Sequence, residues 1–203
     1  MRIAIFASGG GSNFQAIADA CRAGEIPASV VLCVASSAGA GVCDRAQTMN
    51  IPVFVVKGIS DPETEELQAV LARHQVDFIA LAGFMRKIPG SLVRAFENRM
   101  LNIHPALLPA FGGTGMYGSR VHEAVIAEGV SSSGATVHIV DEEYDTGPIV
   151  LQESITVLGT DTPASLAMRV LEVEHRLYPK AIDLFARKLI QIRGREVIIQ
   201  PKS

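Results

Sequence analysis

The sequence predicts an α/β fold: a mostly parallel, twisted, Rossmann-like sheet of about seven strands, with helices on both faces and an antiparallel portion in the C-terminal half. Three observations lead there. Short apolar runs of β type alternate with stretches of helical spacing from residue 1 to about residue 97. A glycine-rich turn, Gly9-Gly10-Gly11, separates the first such run from the first helical one. The last two β-type runs are joined only by a short turn, which permits an antiparallel pair and not a parallel crossover.

The elements follow in order. "RIAIFA" is a buried first strand, and "NFQAIADACRAG" sets Phe14, Ile17, Ala18 and Cys21 on one side of a helix that stops at Gly24. "ASVVLCVASS" is the second strand, "GVCDRAQTMN" a short helix, and Pro52 introduces the third strand, "VFVV". In "DPETEELQAVLARHQ", Asp61 is read as the N-cap and Pro62 as the first helical residue, with acidic groups at the positive end of the dipole. "VDFIALAG" is the fourth strand and "NRMLNIH" the fifth; residues 105–118 form a long loop, and "SRVHEAVIAEG" is a helix ending near Gly129. "SGATVHIVDE" and "GPIVLQESITV" pair across a turn at Asp145-Thr146-Gly147. A long helix from Thr162 to about Ile190 is capped by Asp161 or Thr162 and is expected to kink or split at Pro179. The tail is read as a terminal strand or a loosely held end. The organisation expected is one domain over residues 1–203: a nucleotide-phosphate half (1–97), a second half (98–190) and a short tail (191–203).

Composition limits the classes of function. The 203 residues are 48% hydrophobic and 19% charged, with a net charge of −3, so no basic field gathers nucleic acid and no Lys/Arg run marks a membrane surface. Cys21, Cys33 and Cys43 form no C-x-x-C pair and read as reduced, mostly buried thiols of a cytoplasmic protein. The opening "MRIAIFASGGG" holds only about five apolar positions, too few for a signal-peptide core.

The residues that can carry chemistry are few. Glycines at the first strand-to-helix turn let a phosphate approach the helix N-terminus, in neither a Walker A nor a clean GxGxxG pattern. Asn102 and His104, two apart on a strand, project to one face, and Pro105 ends that strand at the carboxyl edge, where α/β sheets bind ligands. An amide beside an imidazole can hold a developing oxyanion while a proton moves. After His138 come Asp141, Glu142, Glu143 and Asp145; a carboxylate near His104 would raise its pKa and orient the ring, and spacing does not choose among the four. They match no EF-hand, and no histidine pair has zinc-hydrolase spacing, so no metal is expected. His74 reads as structural at a helix end, while His122 lies on a helix beside the long loop and is able to line the site.

Together "GGGSNFQAI", "LAGFMRKI", "LNIHPALLPAF", "VHIVDEEYDTGPI" and "EVEHRLYP", spread from residue 9 to residue 179, resemble the phosphoribosylglycinamide formyltransferases, folate-dependent enzymes of purine synthesis. The resemblance implies the formyltransferase fold, with 10-formyltetrahydrofolate as co-substrate and the amine of 5'-phosphoribosylglycinamide as acceptor. It assigns the phosphate to Gly11, Ser12 and Asn13, and the ribose and glycinamide to Leu171, Glu172, Val173 and Glu174. Folate falls to Met85, Arg86, Lys87 and Ile88, to Asn102 and His138, and to a loop of Asp141, Glu142, Glu143, Tyr144 and Asp145. The catalytic group is Asn102, a protonated His104 and Asp145. The implied partners are small molecules, with no nucleic acid or membrane, for a monomer or homodimer. Two departures stand out. "GISDPETEE" lacks the basic residue that relatives carry there, with Lys57 as a substitute. The loop "AFGGTGMYGSRVHEAV" is richer in glycine, with Tyr117, Arg120 and His122 as replacement contacts.

Other readings fare worse. A methionyl-tRNA formyltransferase would need a further C-terminal domain and a basic face, and a formyltetrahydrofolate hydrolase an N-terminal regulatory domain. An NAD-type module would need an acid after the second strand, where "VASSAGAG" offers none.

Overall fold

The computed structural model describes residues 1–58 and 61–201, apart from the side chains of residues 61–63. Seven strands make one sheet: β1 (Arg2–Ala7), β2 (Ser29–Ala35), β3 (Val53–Val55), β4 (Phe78–Leu81), β5 (Met100–His104), β6 (Ser132–Ile139) and β7 (Ile149–Thr156). Their spatial order is β3-β2-β1-β4-β5-β6-β7. The first five are parallel, while β6 runs antiparallel to β5 and β7 antiparallel to β6. Among the described residues there are six helices: α1 (Ser12–Arg22), α2 (Gly41–Thr48), α3 (Asp61–Arg73), α4 (Gly90–Ala95), α5 (Ser119–Glu128) and α6 (Pro163–Ala186). A hairpin of β8 (Ile190–Arg193) and β9 (Glu196–Ile199) follows.

Strand alternation divides the interior into two cores. From β1, Ile3, Ile5 and Ala7 face one side, where they pack with Phe14 and Ile17 of α1, Val42 of α2, Val125 of α5 and the apolar stripe of α6. Ala4 and Phe6 face the other, against Leu67 and Leu71 of α3 and Leu92 of α4. A strand buried on both faces needs a continuous apolar run, which is why "IAIFA" shows no polar alternation. Each fully buried Ile, Leu or Phe contributes roughly 1.5–3 kcal/mol. The buried Tyr178 hydroxyl of α6 donates toward the carbonyls of Leu81 (3.1 Å) and Leu101 (2.9 Å), fixing that helix to β4 and β5.

Several expectations need correction. α4 was not expected; at six residues it is too short to display a helical period. α6 is assigned as one helix through Pro179, without a split. Leu177, Tyr178, Ala181 and Ile182 are all buried around the proline, so tertiary packing holds the rod together where a backbone hydrogen bond is lost. Thr162 caps α6: it accepts from Ser165 N while the Ser165 hydroxyl accepts from Thr162 N, a capping box. The tail is a paired hairpin, not a single strand or a loose end. The cap expected of Asp61 lies outside the described residues.

Candidate active site

β1 is flanked by β2 and β4, so the chain's strand order reverses there and the connections on either side lead away from each other. The crevice left at the carboxyl ends of such strands is the ligand position in open α/β sheets. Two loops meet in it, one after β1 and one after β4: Ser8 N donates to Gly83 O (3.1 Å), and Met85 N donates to Ser8 Oγ (2.9 Å).

The first loop is built by close packing. Gly11 caps α1 with φ +76°, and a Cβ there would lie 2.8 Å from Val42 Cβ and Cγ2, so glycine is required on both counts. Val42 N donates to Gly9 O at 3.1 Å, and Arg45 Nε to Gly10 O at 2.7 Å, which pins the loop to α2. Among the described residues, no side chain caps α1. Its free first-turn N–H groups therefore face a small cavity of about 260 Å³ walled by residues 8–13, Ala82, Gly83 and Met85. Ser12 is the first helical residue.

A larger cavity of about 790 Å³ adjoins it and shares Asn13, Gly83 and Met85. Its floor comes from β5 and β6. The register sets Asn102 opposite His138 and His104 opposite Thr136, so all four side chains stand on one face of the sheet. Asp145, in the left-handed region at φ +57°, turns its carboxylate back over them. Its Oδ2 lies 3.5 Å from His104 Nδ1 and accepts from Gly113 N at 2.9 Å. Its Oδ1 lies 3.5 Å from His138 Nε2 and 3.4 Å from Asn102 Nδ2. Asn102 Nδ2 also meets His138 Nε2 at 3.1 Å, and His138 Nδ1 meets Ile139 O at 2.8 Å. Of the four carboxylates after His138, only Asp145 reaches this group: Asp141 accepts from Thr146 Oγ1, Glu142 pairs with Arg94, and Glu143 is exposed.

The protonation chemistry differs from the expectation. His104 Nε2 stands 2.7 Å from Phe111 O; a carbonyl only accepts, so Nε2 carries a proton and Nδ1 faces Asp145. Burial, the largest influence, pushes the His104 imidazole below its ordinary pKa; Asp145 and the Phe111 carbonyl pull upward without overcoming it. The ring is thus predominantly neutral near pH 7 and not the imidazolium expected. For Asp145, burial acts to raise the carboxyl, yet the hydrogen bond to His138, the neighbouring His104 ring and the Gly113 N–H outweigh it and hold the group below its ordinary value.

The remaining residues distribute unevenly. Met85, Arg86, Lys87 and Ile88 all line the larger cavity, as do residues 141–145. The Arg86 guanidinium is committed elsewhere, to the carbonyls of Lys57 (3.0 Å) and Ser36 (2.9 Å). Lys87 Nζ lies 5.6 Å from the Tyr144 ring centroid, and Arg120 stacks over Tyr117. Lys57 is not part of the cavity wall, and the rest of the "GISDPETEE" stretch falls partly outside the described residues. Leu171 and Glu174 line the cavity, but Glu172 is exposed and Val173 sits in the core. The reason is helical: residues three apart share a face, and the two between are rotated away.

Sequence reasoning did not find the Phe111 carbonyl or the Gly113 N–H, since backbone groups carry no sequence signal. It also missed the join between the chain's distant ends of the site: Asn13 Nδ2 donates to the buried Glu174 Oε2 at 2.6 Å. Burial drives the Glu174 carboxyl up to about 7, against the downward pull of Asn13.

Comparison with known proteins agrees with this architecture. A family model described as formyl transferase matches residues 1–182. A relative from Arabidopsis thaliana, named phosphoribosylglycinamide formyltransferase, chloroplastic, is 46% identical over 208 residues, covering 100% of this chain and 71% of its own. The phosphoribosylglycinamide formyltransferase of Bacillus subtilis is 39% identical, covering 89% of this chain and 92% of its own. A crystal structure of glycinamide ribonucleotide transformylase 1 from Symbiobacterium toebii superposes with a TM-score of 0.92 at 40% identity, covering 99% and 94% of the two chains. This chain belongs to the formyl transferase family.

Proposed function

We propose that this chain transfers the formyl group of 10-formyltetrahydrofolate to the amine of 5'-phosphoribosylglycinamide, giving formylglycinamide ribonucleotide and tetrahydrofolate. The observation that carries the reading is the shared cavity. One wall offers a helix N-terminus for phosphate with Asn13 and Glu174 beside it, and the floor offers Asn102, His104 and Asp145. Phosphate, ribose and reacting amine then have successive seats. Gly11, Ser12 and Asn13 take the phosphate, Glu174 with Leu171 the ribose side, and residues 85–88 with 138–145 the folate. A volume of about 790 Å³ suits a folate-sized ligand.

The chemistry follows from the floor. As the amine attacks the formyl carbon, a C–N bond forms and the carbonyl oxygen gains negative charge. The Asn102 amide answers it by giving up its long contact to Asp145 for one to that oxygen, a donor worth roughly 3 kcal/mol in such sites. The attacking nitrogen must lose a proton. His104, neutral through burial and fixed by Phe111 on its Nε2 side, takes that proton at Nδ1, where Asp145 stabilises the resulting imidazolium. Returning the proton to the folate nitrogen as its bond to the formyl carbon breaks completes the transfer and restores the neutral ring.

The hydrolase reading differs only in the acceptor, water in place of the amine. The fall in 10-formyltetrahydrofolate, followed by absorbance, separates the two. Turnover that requires glycinamide ribonucleotide supports transfer; turnover without it refutes the reading. Among the described residues, no helix is long and apolar enough to cross a membrane. The three free cysteines accord with a reducing compartment, which we take to be the cytoplasm.

A further inference from the structure

His122 on α5 is unused by the chemistry above, yet it is only 5% exposed and lines the larger cavity. Its Nδ1 is shut off from solvent with no hydrogen-bond partner, and among the described residues Nε2 has none either. A leucine would fill this place without orphaning a nitrogen. A buried lone pair is better tolerated without a partner than a buried N–H, so the proton belongs on Nε2, the nitrogen left toward the cavity. Burial, the largest influence, pushes the ring below its ordinary pKa, which keeps it a neutral donor.

We infer that His122 Nε2–H is the hydrogen-bond donor for the amide carbonyl of the glycinamide, the group that joins the ribose to the reacting amine. This rests on the function proposed above. Three placements select that carbonyl. His122 and His104 line the same cavity, so the group that His122 meets lies in the space where the amine reacts. It shares the cavity with Asn13 and Glu174, so that group also belongs to the ribonucleotide. An uncharged donor suits a carbonyl, whereas a phosphate would be better served by the cationic or helix-terminal groups elsewhere in the same walls. His122 is thereby a specificity-determining residue that distinguishes an amide-bearing acceptor from a simple amine.

The test pairs His122→Leu, which keeps bulk and removes the donor, with His122→Gln, whose amide nitrogen reaches the same place. His122→Leu is expected to raise KM for glycinamide ribonucleotide roughly tenfold or more, with the KM for 10-formyltetrahydrofolate unchanged within about twofold. His122→Gln is expected to recover most of that loss. An unchanged KM in His122→Leu, an equal rise for both substrates, or a His122→Gln no better than His122→Leu overturns the inference. In the full wild-type chain, nitrogen-detected NMR of the His122 ring supplies a readout independent of turnover and of variant folding. Its Nε2–H signal should shift with glycinamide ribonucleotide and not with ribose 5-phosphate, which lacks the amide; equal response to both overturns the assignment. Wild-type turnover tests the function itself, so failure of one is distinguishable from failure of the other.

Discussion

Replacing Glu174 by glutamine should flatten a specific part of the pH dependence of stability. Glu174 is 8% exposed, and among the described residues its one hydrogen-bond partner is Asn13 Nδ2 at 2.6 Å. Its carboxyl moves from the ordinary 4.5 to about 7 on folding, because burial penalises the charged form more than Asn13 supports it. A folded-state pKa above the unfolded value means that the folded chain binds the proton more tightly. The stability this confers is fully present below about pH 4.5 and is lost as pH rises through about 7. The shift corresponds to about 3 kcal/mol between those limits. Glutamine keeps an acceptor for Asn13 and carries no proton equilibrium, so it removes this component and leaves the others in place. Urea unfolding of both proteins, at pH 5 and at pH 8, measures it. The variant should gain about 3 kcal/mol relative to the wild type between the two pH values, less the part of the titration still incomplete at each. Parallel curves for the two proteins would refute the argument, showing that the carboxyl is solvated or ionised without penalty in the folded chain.

Other outcomes follow from single contacts. Asn102→Ala should lower kcat on the order of a hundredfold or more with little change in substrate KM, measured by steady-state formyl transfer. Gly11→Ala places a Cβ 2.8 Å from Val42 in a left-handed conformation, and should cost about 2–4 kcal/mol in thermal unfolding as well as phosphate binding. Arg195, in the turn of the β8–β9 hairpin, donates to Thr146 O and stands 3.9 Å from Asp141 Oδ2. Its replacement by alanine should speed hydrogen exchange in residues 141–147 while changing global stability by less than about 1 kcal/mol, as suits an exposed contact.

Much of the sheet was legible because burial forces composition. Strands covered on both faces, such as β4 and β1 beyond Arg2, must be apolar, and β6 and β7 were legible as a neighbouring pair, although residues 140–148 that join them are a longer loop than the turn read at Asp145-Thr146-Gly147. The order of the strands was not legible, since the reversal at β1 arises from which edge each crossover returns to. Asn102 and His104 could be paired from spacing alone, because alternate residues of a strand share a face. Asp145 could not be chosen from its neighbours: the choice depends on a left-handed residue that folds one carboxylate inward while Asp141 and Glu142 turn to Thr146 and Arg94. The charge state of His104 was equally hidden. A carboxylate partner argues for a raised pKa, and only the depth of burial shows that desolvation prevails. Val173 and Glu172 show the converse limit, where a contiguous motif was read as a contact surface although a helix presents only every third or fourth residue to one side.

The most direct test follows an isotopically labelled formyl group from 10-formyltetrahydrofolate in the presence of glycinamide ribonucleotide. With the wild-type chain the label should appear on the glycinamide nitrogen. With His104→Ala its appearance should slow on the order of a hundredfold or more, while glycinamide ribonucleotide still binds. Label released as free formate, or undiminished transfer by His104→Ala, would contradict the account.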